Sequence, residues 1–162
     1  MYIEMETTGR WGDEVVIEVT VGPERLWNLV ADVTQMGDWS PECHQCEWTD
    51  GADGPVVGAR FVGHNRQGLL RWSRVCEITI SDPGREFAFR TLFKGAESTR
   101  WRYRFEPTPT GTSVTESYEV VSMPRSLQLL HHLPGMHAKA RRDALSNMTR
   151  TLERLRLAAE KG

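Results

Sequence analysis

Large apolar side chains recur at every second residue in three segments of the second half of the chain. The clearest is residues 101–105, where Trp, Tyr and Phe alternate with two arginines. Residues 86–89 and 114–118 show the same alternation. A period of two is typical of a strand with one apolar and one polar face. The three segments therefore predict an antiparallel meander whose aromatic face packs against another element.

The C-terminal part of the chain changes to a helical period and predicts that element. From about Pro124, apolar side chains step by three and four residues along one stripe. The stripe consists of Leu145, Met148, Leu152, Leu155 and Ala159. Pro134-Gly135 is expected to kink or interrupt the first part of this region. We therefore expect a long amphipathic helix from near His137 to near Ala159, packed on the sheet.

The first half of the chain adds the remaining elements. Residues 14–21 alternate as a strand, and Pro23 then begins a short helix that ends near Asp32. A second short helical turn is expected from Val33 to Met36, ending at Gly37. Further strands are predicted at residues 43–48, 59–66, 71–80 and 98–106. The fold class is α+β, with a strongly curved antiparallel sheet of about seven strands around the C-terminal helix and a pocket between them.

Composition narrows the class of protein. A chain of 162 residues fits one domain, and 20 basic against 22 acidic residues argue against nucleic acid or an anionic membrane as the main partner. The N-terminal residues do not read as a signal peptide, and no stretch is apolar enough to span a membrane, so a cytoplasmic protein without membrane insertion is expected. The odd number of cysteines, three, favours reduced thiols.

Several short motifs occur in order along the chain. They are residues 22–27, 39–41, 58–61, 65–68, Trp72, 82–89 and 111–116. Together they resemble the SRPBCC superfamily, in its polyketide cyclase/dehydrase and lipid transport branch, over about residues 12–158 of a single domain expected at 1–162. The resemblance implies the helix-grip fold of START domains and the birch-pollen allergen, with a cavity for a hydrophobic ligand. None of these motifs is a catalytic signature.

Strand alternation predicts which side chains line that cavity. Seven aromatic residues share the inward parity, namely Phe61, Trp72, Phe87, Phe89, Trp101, Tyr103 and Tyr118. Trp39, Met136 and Met148 are expected to close the ends of the cavity. The same pattern is also typical of plain core packing, so both interpretations stay open.

Three polar residues share the apolar parity: Asn65, Arg74 and Glu116. A charge that faces the interior is costly unless it is paired. One interpretation is a structural ion pair between Arg74 and Glu116, or a bulge that turns one of them to solvent. The other is a catalytic pair in which Arg74 donates to an oxyanion and Glu116 is a base with a pKa raised by burial.

Histidines and cysteines suggest weaker candidates. His131, His132 and His137 flank the Pro134-Gly135 break, and His132 is a candidate for ligand contact or proton transfer at the pocket mouth, with an exposed helix start as the alternative. No carboxylate accompanies them at ligand spacing, so no metal and no cofactor are predicted. Residues 43–46 form a CxxC pattern within a predicted strand. Redox CxxC pairs begin helices, so this pattern is interpreted as incidental.

Three function classes remain. The first is binding of a hydrophobic, lipid- or polyketide-like small molecule in the cavity. The second is a polyketide aromatase/cyclase or dehydratase acting on such a ligand through Arg74 and Glu116. The third is a protein-interaction module that docks a partner at the cavity rim. The sequence leaves open whether two copies form a homodimer.

Overall fold

The computed structural model describes residues 11–162; the first ten residues of the predicted domain lie outside this part. The strands are β1 (Trp11–Val19), β2 (Cys43–Thr49), β3 (Arg60–Gln67), β4 (Leu70–Asp82), β5 (Glu86–Phe93), β6 (Ala96–Thr108) and β7 (Gly111–Val120). The helices are α1 (Pro23–Ala31), α2 (Met36–Trp39), α3 (Arg125–His131) and α4 (Met136–Lys161), with a 3₁₀ turn at Val33–Gln35.

All seven strands form a single antiparallel sheet in the order β1-β7-β6-β5-β4-β3-β2. Strands β2 to β7 form a meander, and β1 pairs with the last strand instead of the second. The chain therefore crosses from one edge of the sheet to the other between β1 and β2, and α1 and α2 lie in this crossing. The predicted seven-stranded sheet with a long C-terminal helix is confirmed.

The core lies between the concave face of the sheet and α4. The stripe of α4 is buried at Met148, Leu152, Leu155 and Ala159, while Leu145 is only half-buried. On the sheet side, β1 buries Val15, Ile17 and Val19. Burial of these apolar faces removes them from water and stabilises the arrangement.

The end of the second helical turn differs from the prediction, and the predicted break in the C-terminal helical region is present. The second helical turn does not end at Gly37, because α2 continues through it to Trp39. A Cβ on Gly37 would overlap the carbonyl group of His44, so the glycine permits close packing of α2 on β2. The Pro134-Gly135 break does interrupt the C-terminal helix, since α3 ends at His131 and α4 begins after Gly135 with φ 81°.

None of the helices in the described part of the chain is both long and apolar enough to cross a lipid bilayer.

Candidate functional site

A cavity of about 480 Å³ lies between the middle of the sheet and α4. Its walls come from β2 to β7, from α2 and the residue after it, from the connection that follows β7, and from one face of α4. Its volume is in the range of pockets that hold drug-sized molecules.

Glu116 and Tyr103 form a polar pair in the cavity wall. They are direct partners in the β6–β7 register, and both strands turn these positions toward the concave face. The Tyr103 hydroxyl donates to Glu116 Oε1 over 2.6 Å, and the two residues are 6% and 3% exposed. Glu116 Oε2 is buried and has no hydrogen-bond partner among the described residues.

Burial sets the protonation state of this pair. It raises the pKa of Glu116 from 4.5 to about 8, and the hydrogen bond from Tyr103 opposes the rise. The pKa of Tyr103 is raised well above 10, first by burial and then by Glu116, with smaller effects from Cys43 and Cys46. At neutral pH Glu116 is therefore mostly a neutral carboxylic acid, which can both donate and accept a hydrogen bond.

Arg74 also lines the cavity, on β4. Its Nη1 donates to the carbonyl oxygen of Ser73 over 3.1 Å, and its Cζ lies 5.2 Å from the centroid of the Phe93 ring. Within residues 11–162, no hydrogen bond or ion pair joins Arg74 to Glu116.

The direct ion pair is therefore not formed. Parity places both residues on the same face, but β5 and β6 lie between their strands, a separation of roughly 14 Å along the sheet.

A second polar pair in the cavity wall joins Glu42, the residue before β2, to Asn147 of α4. Asn147 Nδ2 donates to Glu42 Oε2 over 3.4 Å, and both residues line the cavity. Burial raises the pKa of Glu42, while Asn147 and the charge of Arg74 oppose the rise. Sequence reasoning missed both residues, although Asn147 directly precedes Met148 of the apolar stripe.

The structure brings nine of the fourteen predicted site residues to the cavity wall. They are Phe61, Asn65, Trp72, Arg74, Phe89, Trp101, Tyr103, Glu116 and Met148. Asn65 is half-buried, and its Nδ2 donates to the carbonyl oxygen of Gly63 over 3.4 Å.

Two aromatic residues predicted to line the cavity, Phe87 and Tyr118, are not in its lining. Phe87 packs edge-on against Trp27 of α1, with ring centroids 6.5 Å apart. The Tyr118 hydroxyl donates to Asp13 Oδ2 over 3.4 Å, and Arg141 of α4 donates to Asp13 Oδ1 over 2.7 Å. Strand parity places both rings on the correct face, but Phe87 lies under α1, and Tyr118 packs against Trp101 with ring centroids 5.5 Å apart.

The other three predicted residues also lie outside the lining. Trp39 is buried in the core at the end of α2, and Met136 is the half-buried first residue of α4. His132 is exposed and caps the C-terminal end of α3, whereas the alternative interpretation expected an exposed helix start. His132 and Met136 thus lie on either side of the break between α3 and α4 and are not part of the lining.

His131 and His137 pack around Trp11, with ring centroids 5.3 and 4.5 Å from the indole. In the part of the chain that the structure describes, no group of three or more His, Cys, Asp or Glu side chains is placed to hold a metal ion.

The lining also includes three cysteines that were not predicted as site residues: Cys43, Cys46 and Cys76. All three are buried free thiols. Cys76 shares the inward parity of β4, and this parity was the sequence feature that could have identified it as a lining residue. The other two belong to the CxxC pattern, whose spacing by itself would put them on opposite faces of a regular strand.

Comparison with known proteins gives one family and a set of similar folds. The model of the family described as polyketide cyclase/dehydrase and lipid transport matches residues 13–160. The polyketide-cyclase-like protein Cgl2372 from Corynebacterium glutamicum, solved by NMR, is 31% identical with a TM-score of 0.63. That alignment covers 93% of this chain and 92% of Cgl2372. Comparison with curated proteins gave no match.

Two aromatase/cyclases have a similar fold at low identity. The Zhui aromatase/cyclase from Streptomyces sp. R1128 is 16% identical, with a TM-score of 0.68 and 94% of each chain covered. The di-domain ARO/CYC StfQ of the steffimycin biosynthetic pathway is 14% identical, with a TM-score of 0.74 over 93% of this chain and 50% of StfQ. At these identities the likeness concerns the fold alone.

Proposed function

Because the chain belongs to the polyketide cyclase/dehydrase and lipid transport family, we propose that its cavity binds one hydrophobic small molecule that carries a carbonyl or hydroxyl group. The observation that carries this proposal is the carboxyl group of Glu116. One of its oxygens is held by Tyr103, and the other is buried without a partner at the wall of an aromatic cavity.

The shape and chemistry of the lining support an apolar ligand body. Trp72 of β4 and Trp101 of β6 supply broad, rigid surfaces, and Phe89 lies on the strand between them. Phe61 continues the wall on β3. The ring centroids of Phe61 and Phe89 are 5.3 Å apart, so the two phenylalanines pack against each other. Met148 of α4 closes the opposite side with a flexible side chain that adapts to ligand shape.

The carboxyl group of Glu116 would orient the ligand in the cavity. A buried polar atom without a partner costs about 1–3 kcal/mol, which a ligand that satisfies Glu116 Oε2 would recover. A neutral carboxylic acid donates to a ketone oxygen or accepts from a hydroxyl group. Tyr103 keeps the carboxyl group in one orientation, so the ligand oxygen would have a defined position against the β6–β7 wall.

Native mass spectrometry of the purified protein is the first test, because it shows a co-purified ligand by its mass. The second is titration of tryptophan fluorescence with a long-chain ketone and an alkane of equal length. Glu116→Leu should weaken ketone binding by about tenfold and leave alkane binding nearly unchanged. Glu116→Gln is the matched control, because it keeps a neutral donor and acceptor at the same place.

Equal loss for both ligands in Glu116→Leu would show that Glu116 is structural. Absence of saturable binding by either ligand to the wild-type protein would contradict the proposed cavity function.

A second candidate function is the aromatase/cyclase or dehydratase reaction. It is favoured by the same pair, since a carboxyl group with a pKa of about 8 can exchange a proton near neutral pH. Tyr103 would hold this group in place, and Arg74 is the remaining candidate for an oxyanion donor, from a separate part of the wall.

Incubation with a poly-β-keto thioester tests this candidate, because cyclisation with dehydration lowers the product mass by one water. Conversion by the wild-type protein must exceed both the spontaneous rate and the rate of Glu116→Leu. Equal rates in all three samples would exclude catalysis through Glu116 and leave the binding function.

A further inference from the structure

The cavity wall contains every cysteine of the chain. Cys43 and Cys46 are 7% and 4% exposed, and their Sγ atoms lie 3.2 Å apart. Cys76 lies on β4, two strands away from β2. The binding function described above does not use these thiols, so their close approach needs its own explanation.

A β-bulge brings the two sulfur atoms of β2 together. Cys43 is paired with Asn65 and Cys46 with Gly63, and the register shifts between Cys43 and Gln45. Asn65 and Gly63 are two residues apart on β3 and face the same side. The extra residue of the bulge therefore turns a three-residue spacing into two side chains on one face.

The opposite strand leaves room for the pair. Gly63 has no side chain, and a Cβ added there would lie 3.5 Å from Cys43 Sγ and 3.6 Å from Cys46 Sγ. On the other side, Cys46 Sγ lies 3.7 Å from Met36 Sδ of α2. The two thiols therefore lie between Gly63 of β3 and the thioether of Met36.

The contact also makes the two thiols unequal. A hydrogen bond from Cys46 stabilises the Cys43 thiolate and lowers the pKa of Cys43. The same shared proton, together with burial, raises the pKa of Cys46. Burial raises the pKa of Cys76 to about 12, so that thiol stays protonated at neutral pH.

We propose that Cys43 and Cys46 are a site of oxidative modification in the cavity wall, where a peroxide closes the pair to a disulfide. The Cys43 thiolate attacks one peroxide oxygen, the O–O bond breaks, and a sulfenic acid and one water form. The Cys46 sulfur then attacks the Cys43 sulfur, the S–O bond breaks, and a second water leaves with the remaining thiol proton. Two thiols are oxidised and one peroxide is reduced, and a thiol reductant reverses the change.

Closure of the pair would change the wall that a ligand meets. A disulfide has an S–S distance of about 2.05 Å, so the sulfur atoms approach by roughly 1.2 Å from their present 3.2 Å. Two S–H groups are lost near Tyr103, which contacts Glu116. We therefore expect oxidation to change ligand affinity. This second part rests on the proposed function, whereas disulfide formation does not.

The first experiment counts thiols. The protein is treated with hydrogen peroxide, unfolded, alkylated with a maleimide and weighed by mass spectrometry, with peptide mapping of the bond. The wild-type protein should change from three free thiols to one, with Cys76 still free. Cys76→Ser is the matched control and should still form the bond. Cys46→Ser should form no disulfide and should give a Cys43 sulfenic acid that dimedone traps.

Three outcomes would overturn the proposal: three free thiols after peroxide, a bond that involves Cys76 or a second chain, or oxidation to sulfinic acid without a disulfide. The decisive count uses the wild-type protein, so it does not depend on the folding of any variant.

The second experiment measures ketone binding in the reduced, oxidised and re-reduced wild-type protein. Affinity should change several-fold on oxidation and return after dithiothreitol, while Cys46→Ser should not respond in this way. A mapped disulfide with unchanged affinity would refute the link to binding. No ketone binding in any state would instead contradict the proposed function and leave the thiol result standing.

Discussion

Tyr103 and Glu116 face each other across β6 and β7, and the phenol donates to the buried carboxyl group over 2.6 Å. This contact gives one oxygen of Glu116 a partner and leaves the other without one among the described residues. It places a neutral acid in the wall of an aromatic cavity.

Tyr103→Phe should destabilise the protein by about 1–3 kcal/mol, because it leaves both oxygens of a buried carboxyl group without a partner. It should also raise the pKa of Glu116 further, since the tyrosine hydrogen bond now lowers it. Urea unfolding measures the first effect. Tyr118→Phe is the control, because that hydroxyl makes only a 3.4 Å contact with Asp13 outside the cavity lining. An equal loss in the two variants would contradict the special role of Tyr103.

Stability should fall as the pH rises through the titration of Glu116. Its pKa is 4.5 when unfolded and about 8 when folded, so folding favours the protonated acid. The stabilisation is complete below the unfolded pKa and is lost as the pH approaches and passes the folded pKa. The slope from this group is at most about 1.4 kcal/mol per pH unit.

Urea unfolding across this pH range measures the slope, and Glu116→Gln should flatten it because glutamine does not titrate. A variant that keeps the full wild-type slope would assign the pH dependence to other groups.

Leu152→Asp should cost several kcal/mol, because it buries an unpaired charge between α4 and the sheet. Leu152 is fully buried, whereas Leu157 on the same helix is 50% exposed. Leu157→Asp is therefore the matched control and should change stability by less than about 0.5 kcal/mol. Thermal unfolding followed by circular dichroism compares the two. Similar melting temperatures would show that the helix face is assigned incorrectly.

Gly37→Ala should destabilise the packing of α2 on β2, because the new Cβ would overlap the carbonyl group of His44. We expect a loss of about 1–3 kcal/mol, as for other overpacked sites. His44 lies at the β2 bulge, so the loss should be accompanied by faster alkylation of Cys43 and Cys46. Gly54→Ala is the control, since a Cβ there meets nothing within 4 Å. Unchanged stability and an unchanged alkylation rate in Gly37→Ala would contradict the inference that packing of α2 supports the β2 bulge.

Local periodicity was sufficient to predict the elements and their faces. The alternation of residues 101–105 predicted the inward side chains of β6, and the stripe through Leu152 and Leu155 predicted the buried face of α4. Both patterns depend on backbone geometry within a few residues, which repeats in every regular strand or helix. The same parity predicted that Glu116 faces the interior.

Three features depended on the tertiary structure. Parity gave Arg74 and Glu116 the same face, but the strand order separates them by two strands. It placed Phe87 on the concave face without showing that α1 covers it. Strand parity also assigned Cys43 and Cys46 to opposite faces of β2, because the sequence does not show where a β-bulge occurs.

The physical reason is the range of the interactions involved. A residue's face follows from its own backbone and is encoded locally in the pattern of side chains. Its neighbours across the sheet follow from strand order, from register shifts and from the helices that pack on top. These depend on contacts between residues far apart in the chain, so the sequence alone determined the walls of the cavity in outline, and only the folded chain determined which polar and sulfur atoms meet inside it.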